Sequence, residues 1–258
     1  MIHARYAKRG CAIAGAVARI LWYEGMDMKK ATRILSFVLV IALFVTVAPV
    51  RAQRDAAPAR GNAAMDLAVL VDDSLQTSVS LQLEDVKAFV RELPVTTRVA
   101  VAYSSNGVAF LAQDFTTDHE RAAAALRMPR GSVDGASGLF ESLRDLRKRW
   151  PATGNRRAVL LVSSGIDLLR GVFDSNPGVN PDLQAAIHVY RGDGIAVYAI
   201  YASNAGRLSR NSFLVLNGQS CLTRMAAETG GEAYFSGSQT PISFRPFLES
   251  IRSLLFLG

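Results

Sequence analysis

The stretch Asp66–Ser78, DLAVLVDDSLQTS, decides the fold. Its first half, Asp66 to Val71, is a short apolar run bounded by polar residues, the pattern of a strand buried on both faces of a parallel sheet. Its second half places two carboxylates, Asp72 and Asp73, and the hydroxyls of Ser74, Thr77 and Ser78 in the turn that leaves the strand. In open α/β sheets ligands bind beyond the carboxyl ends of the strands, so this turn is where chemistry is expected.

Toward the C-terminus, Leu81–Leu93 carries Leu83, Val86, Phe89, Val90 and Leu93 at three-and-four spacing, which predicts an amphipathic helix ended by Pro94. Arg98–Tyr103 and Val108–Gln113 are strand-like runs on either side of Asn106-Gly107, a strong hairpin signal, so one of the two runs antiparallel. Thr117 and Asp118 are candidate caps for a helix over His119–Leu126. Beyond the Gly-rich segment RGSVDGASG (130–138), Leu139–Trp150 is a second amphipathic helix. A strand at Ala158–Val162, a helix at Pro181–Gly192 and a strand at Ile195–Tyr201 follow. A helix at Leu222–Thr229 closed by Gly230 and Gly231, a strand at Glu232–Phe235 and a helix at Phe244–Phe256 complete the series. This alternation predicts an α/β fold: a doubly wound, mainly parallel six-stranded sheet with one antiparallel strand and helices on both faces.

Toward the N-terminus, Gln53–Ala64 (QRDAAPARGNAA) is small and polar without apolar period and reads as a linker. Before it stand Lys29, Lys30 and Arg33, the apolar run ILSFVLVIALFVTVA, and small residues at Val50 and Ala52. That is the pattern of a secretory signal peptide cleaved after Ala52, with an uncleaved anchor as the alternative. Translation starting at Met26 or Met28 would give this leader an ordinary length. The expected organisation is therefore a leader over 1–52, a linker over 53–64 and one domain over 65–258, secreted or periplasmic, with no membrane span in the mature form. The apolar end Leu254–Gly258 lacks a polar fringe, which leaves room for further chain.

Charge excludes one class of partner. The chain carries a formal +7, but eight of its 29 basic residues and only two of its 22 acidic ones precede Gln53. The remaining 21 basic and 20 acidic residues give the mature part no footprint for nucleic acid. Cys221 is the only cysteine there, so no internal disulfide is possible and stability must come from the core.

A buried strand ending in Asp-x-Ser, a hairpin, a Gly-rich loop opening a helix, and a strand running into SSGID (163–167) together resemble the von Willebrand factor type A domain. VAYSSNGVAFLAQDFTTDH, LLVSSGIDLL, GIAVYAIY and AAETGGEAYF are similar to its divergent bacterial group, the type best represented in Acidobacteria. The resemblance spans Met65–Phe256. It implies a Rossmann-like fold and a protein-binding role at a metal-ion-dependent adhesion site, where a ligand carboxylate commonly completes the shell of a metal. Asp72 and Ser74 match the first two positions of the site motif and Gln76 stands where a Ser is usual. Ser137 is the nearest hydroxyl before the middle helix, with Ser132 the poorer candidate. Ser164 occupies the place of the family's later Asp, and Asp167 reaches it only if the loop bends back. The implied metal set is Asp72, Ser74, Ser137 and Ser164, holding Mg²⁺ or Mn²⁺, or no metal at all where the departures empty the site. The simpler alternative is that Asp72 and Ser74 only close the turn and cap the helix.

Other readings fit less well. A phosphorylated receiver domain needs a Lys at a later strand end, and Lys87 and Lys148 both fall on helices. A hydrolase has Ser163-Ser164-Gly165 as its hydroxyl turn but no Gly-x-Ser-x-Gly elbow, and His119 and His188 lie in helical stretches. No Gly-x-Gly-x-x-Gly follows the first strand, so no dinucleotide site is expected. Arg144, Arg147, Lys148, Arg149, Arg156 and Arg157 read as a solvated face or as an acidic partner's surface. Tyr198, Tyr201 and Phe213 read as core, and Cys221 as a small buried residue at a helix start. The expectation is a protein-binding, non-enzymatic module with a degenerate metal site and an unidentified protein ligand. The rivals are a metal-free structural or assembly module of the cell envelope and an uncharacterised hydrolase.

Overall fold

A computed structural model describes residues 64–131, 138–204 and 207–256; the leader, most of the linker, and Ser132, Asp134 and Ser137 lie outside the described residues, as does the side chain of Gln76. Strand β1 (Met65–Asp72) is buried over its whole length. A short 3-10 helix leads into α1 (Ser80–Arg91), and β2 (Thr97–Ser105) and β3 (Val108–Thr116) follow. Next come α2 (His119–Ala124), α3 (Leu139–Lys148), β4 (Arg156–Ser163), α4 (Pro181–Gly192), β5 (Ile195–Tyr201), α5 (Ser212–Thr229), β6 (Ala233–Tyr234) and α6 (Arg245–Phe256).

The six strands lie in the order β3-β2-β1-β4-β5-β6. All neighbours pair in parallel except β2 and β3, as the Asn-Gly signal predicts. Asn106 and Gly107 both have positive φ, 48° and 78°, the geometry that joins two strands without splaying them. From β1 the chain winds to one side through β2 and β3, then returns to add β4 on the other, so the order reverses between β1 and β4. Such a reversal opens a crevice at the carboxyl ends of the two strands, the usual place for a ligand.

Alternation along each strand divides the core. Leu67, Val69 and Val71 of β1, Val99 and Val101 of β2 and Leu160 and Val162 of β4 pack against α1, α2 and α6. Ala68 and Leu70, with Ala102, Val159, Leu161, Val197 and Ala199, pack against α3, α4 and α5. The continuous apolar runs exist because each strand faces helices on both sides.

Sequence and structure differ in places. Helix α5 starts at Ser212, ten residues before the predicted Leu222, and Asn211 caps it by accepting from the backbone N–H groups of Phe213 and Leu214. Cys221 is therefore in mid-helix, fully buried, and burial pushes its thiol up to about 12. Phe213, predicted as core, is half exposed on the first turn of α5, whereas Tyr198 and Tyr201 are core. Strand β6 spans two residues of the expected Glu232–Phe235. The basic cluster is largely neutralised: Arg144 pairs with Glu141, Arg147 with Asp193 and Arg149 with Asp145.

Candidate functional site

The β1–β4 crevice is built from residues that strand parity puts on one face. Asp72 lies opposite Ser104 of β2 in the β1–β2 register, and Ser163 follows Val162, the partner of Val71, on β4. Ser104, Asp72 and Ser163 thus form a polar row across three strands, on the α3–α4–α5 side of the sheet. All three are fully buried.

Asp72 Oδ1 accepts from the backbone N–H of Ser74 at 3.0 Å and from the Ser74 hydroxyl at 2.7 Å. Its Oδ2 accepts from the Ser163 hydroxyl at 2.7 Å. The Ser163 oxygen in turn accepts from the backbone N–H of Gly165 at 3.0 Å. From the loop after β5, the Asn204 amide oxygen lies 3.4 Å from the Ser74 hydroxyl. Burial raises the Asp72 carboxyl above the usual carboxylate range; its hydroxyl and backbone donors offset this only in part, and the nearby charge of Asp167 adds to the rise. Every partner of Asp72 is neutral.

Of the sequence-predicted site residues, Asp72 and Ser74 are in direct contact and Ser137 lies outside the described residues. Ser164 is buried beside them but its hydroxyl oxygen accepts from the backbone N–H of Ile166, 3.3 Å away. The serine that touches Asp72 is Ser163. Alternation along β4 could have found it, because Ser163 has the parity of Val159 and Leu161, which share the face of Ala68, Leu70 and Asp72. Asn204 carried no sequence signal, since nothing local marks a residue 130 positions from Ser74 as its neighbour.

The hydrogen bonds of Asp167 go to α3 and to its own loop. Gly165 turns the loop with φ 70°, and Asp167 Oδ2 accepts from the backbone N–H of Phe140 in the first turn of α3 at 3.2 Å. Its Oδ1 accepts from Leu169 N–H at 3.0 Å. Burial again outweighs these donors and raises its carboxyl. The loop's position is fixed by backbone contact: a Cβ on Gly165 would sit 2.2 Å from the Gly218 carbonyl oxygen, and one on Gly218 would sit 2.3 Å from that of Ser164. This explains a glycine inside α5, where it weakens helix propensity.

The donor set is chemically of one kind. A carboxylate, two hydroxyls and an amide oxygen are hard ligands suited to Mg²⁺ or Mn²⁺. Two buried polar groups next to them, the Ser104 hydroxyl and the Asn204 amide nitrogen, have no hydrogen-bond partner. The oxygens among them suit a hard cation by ligand type, and the amide nitrogen does not. Among the described residues no group of three or more His, Cys, Asp or Glu could hold a metal. His119 bonds the Thr97 carbonyl at the opposite end of the sheet, and so stands away from Ser163 and Ser164.

No protein-family model matches the chain, and no curated protein matches it. Solved structures do. Proximal thread matrix protein 1 from the mussel byssus is similar at 18% identity and TM-score 0.51, over 76% of this chain and 48% of that one. The human COPII-coat protein Sec24c is similar at 12% identity and TM-score 0.52, over 76% of this chain and 32% of that one. A von Willebrand factor type A structure from Catenulispora acidiphila aligns at 14% identity and TM-score 0.49, over 75% and 42% of the two chains. The strand order, the single antiparallel edge and the helices on both faces make this a Rossmann-like α/β fold, and the likeness to the byssus protein and Sec24c is a likeness of fold.

Proposed function

We propose that residues 65–258 form an adhesion-type protein-binding module, exported behind the 1–52 leader and the 53–64 linker to a secreted or periplasmic location. Its ligand docks on the loops at the carboxyl ends of β1, β4 and β5, around a degenerate metal-ion-dependent adhesion site drawn from Asp72, Ser74, Ser137 and Ser164. The observation that carries this reading is Asp72. A fully buried carboxylate at the sheet's reversal point, surrounded only by neutral donors and shifted upward, is a carboxylate short of a positive charge. A divalent ion would supply that charge, and a carboxylate of the partner would complete the ion's shell. With a single carboxylate in direct reach, the affinity for metal is weak. No helix among the described residues is long and apolar enough to cross a membrane.

The second reading is a structural or assembly module of the cell envelope without metal. It is favoured by the fact that Ser74 and Ser163 already close the turn around Asp72. Isothermal titration of the purified protein with Mg²⁺ and Mn²⁺, beside Asp72→Ala, separates the two. Heat in the wild type that vanishes in the variant supports the metal-dependent module; no heat with either ion leaves the metal-free one.

A further inference from the structure

Five buried side-chain atoms among the described residues have no hydrogen-bond partner. Thr97, Trp150 and Arg252 contribute one each and are scattered. The other two stand on either side of Asp72. Ser104 is its register partner on β2, one strand spacing of about 4.8 Å away and on the same face. Asn204, 5% exposed, approaches from the opposite side through Ser74.

Native folds leave few buried polar groups unsatisfied, so two at one carboxylate call for an explanation. Asp72 is bonded to neither of them, its hydrogen bonds going to Ser74 and Ser163. The Asn204 amide has an oxygen at one end and a nitrogen at the other. A half-turn about its last torsion would let the nitrogen donate to the Ser74 hydroxyl and would free the oxygen, so in either orientation one end is without a partner. With the amide turned in this way Asn204, like Ser104, presents a neutral, hard oxygen with lone pairs to give.

The geometry points to Ser104 and Asn204 as two further oxygen donors of the site, which with Asp72, Ser74 and Ser163 make a cage for a hard divalent cation. This rests on the metal-dependent reading above and changes its membership: donors from β2 and from the loop after β5 take the place of the missing second carboxylate. Mg²⁺ and Mn²⁺ accept such a mixture of carboxylate, hydroxyl and amide oxygens. One carboxylate with four neutral oxygens leaves the bound ion with net positive charge, ready for an anionic group from outside.

Titration calorimetry of the purified chain with MgCl₂ and MnCl₂ tests this on the wild type, Ser104→Ala, Asn204→Ala, Asn204→Asp and Asp72→Ala. Thermal melts in chelator establish that each variant folds. Ser104→Ala and Asn204→Ala should each weaken cation binding roughly tenfold while melting no lower than the wild type, since each removes an unsatisfied group. Asn204→Asp keeps the side-chain shape and adds a charge, so it should tighten binding by roughly tenfold. If the two alanine variants and Asn204→Asp bind as the wild type does while Asp72→Ala does not bind, Ser104 and Asn204 serve at most a buried water. The inference then fails and the broader reading survives. If the wild type binds neither ion, both fall.

Discussion

Two aspartates lie at the ends of β1, and their surroundings differ in charge. Asp66 and Asp72 are six residues apart on one strand, have the same parity and are both fully buried. Asp66 accepts two bonds from the Arg98 guanidinium at 2.8 Å each, one from Thr153 at 2.7 Å and one from Asn155 at 2.9 Å. Burial alone would raise its carboxyl; Arg98 and the two neutral donors outweigh that and hold it below the usual range. Asp72 accepts three hydrogen bonds, all from neutral donors, and its carboxyl moves the other way. Burial raises both carboxyls; at Asp66 four hydrogen bonds, two of them from a guanidinium, together with its charge outweigh that rise, and at Asp72 three neutral donors do not. One end of the strand is electrically finished and the other is open.

The sharpest way to break this comparison is to remove the cation from the finished end. Arg98→Ala leaves Asp66 buried and uncompensated, and should cost about 3–5 kcal/mol in denaturant unfolding. A loss near zero would mean that Asp66 does not depend on its guanidinium partner. At the open end the largest expected effect comes from backbone rather than charge. Gly165→Ala combines a positive φ with a Cβ driven into the Gly218 carbonyl, and should cost about 2 kcal/mol or more. Unchanged stability there would remove the account given of the loop after β4.

Smaller effects carry the sign of each titration. Asp72→Asn removes a charge that the cation-free fold tolerates poorly, so at neutral pH and in chelator it should raise the melting temperature. Because the Asp72 carboxyl is raised, its contribution to stability is complete below the ordinary value of 3.8 and is lost as pH rises through the shifted value. The advantage of the variant should therefore grow from acid toward neutral pH. Asp66 behaves oppositely: its contribution is present above 3.8 and is lost as pH falls through its lowered value. Acid unfolding should accordingly be shallower in Asp66→Asn than in the wild type, measured by circular dichroism from neutral pH downward. Two variants with the same pH trend would erase the distinction between the ends. The smallest effect is at Cys221, buried and pushed up to about 12, which should resist a thiol reagent at pH 8 until the protein is unfolded.

The elements that sequence makes legible are those with a strong local code. Apolar runs mark β1, β4 and β5, Asn106-Gly107 marks the hairpin, and α4 spans the predicted Pro181–Gly192 with Asn180 as its cap. The first half of α5 is less legible: it holds Gly218, and the reason for that glycine is a carbonyl more than fifty positions earlier in the chain. The site was legible to the same depth. Asp72 and Ser74 follow a strand and announce themselves. Strand parity marks Ser163, whereas motif position favours its neighbour Ser164. Ser104 and Asn204 acquire meaning only from register and from a loop crossing, which are properties of the assembled sheet.

The abutment of glycines reaches one step further. A Cβ on Gly138, where α3 begins, would lie 2.5 Å from the backbone nitrogen of Gly107 at the hairpin tip. With Gly165 and Gly218, this makes a second place where main chain rests on main chain at the crown of the sheet. Spacers of that sort have no side chain to trade, so descendants of this gene could redecorate the rim freely while the distances between its rim segments stayed as inherited.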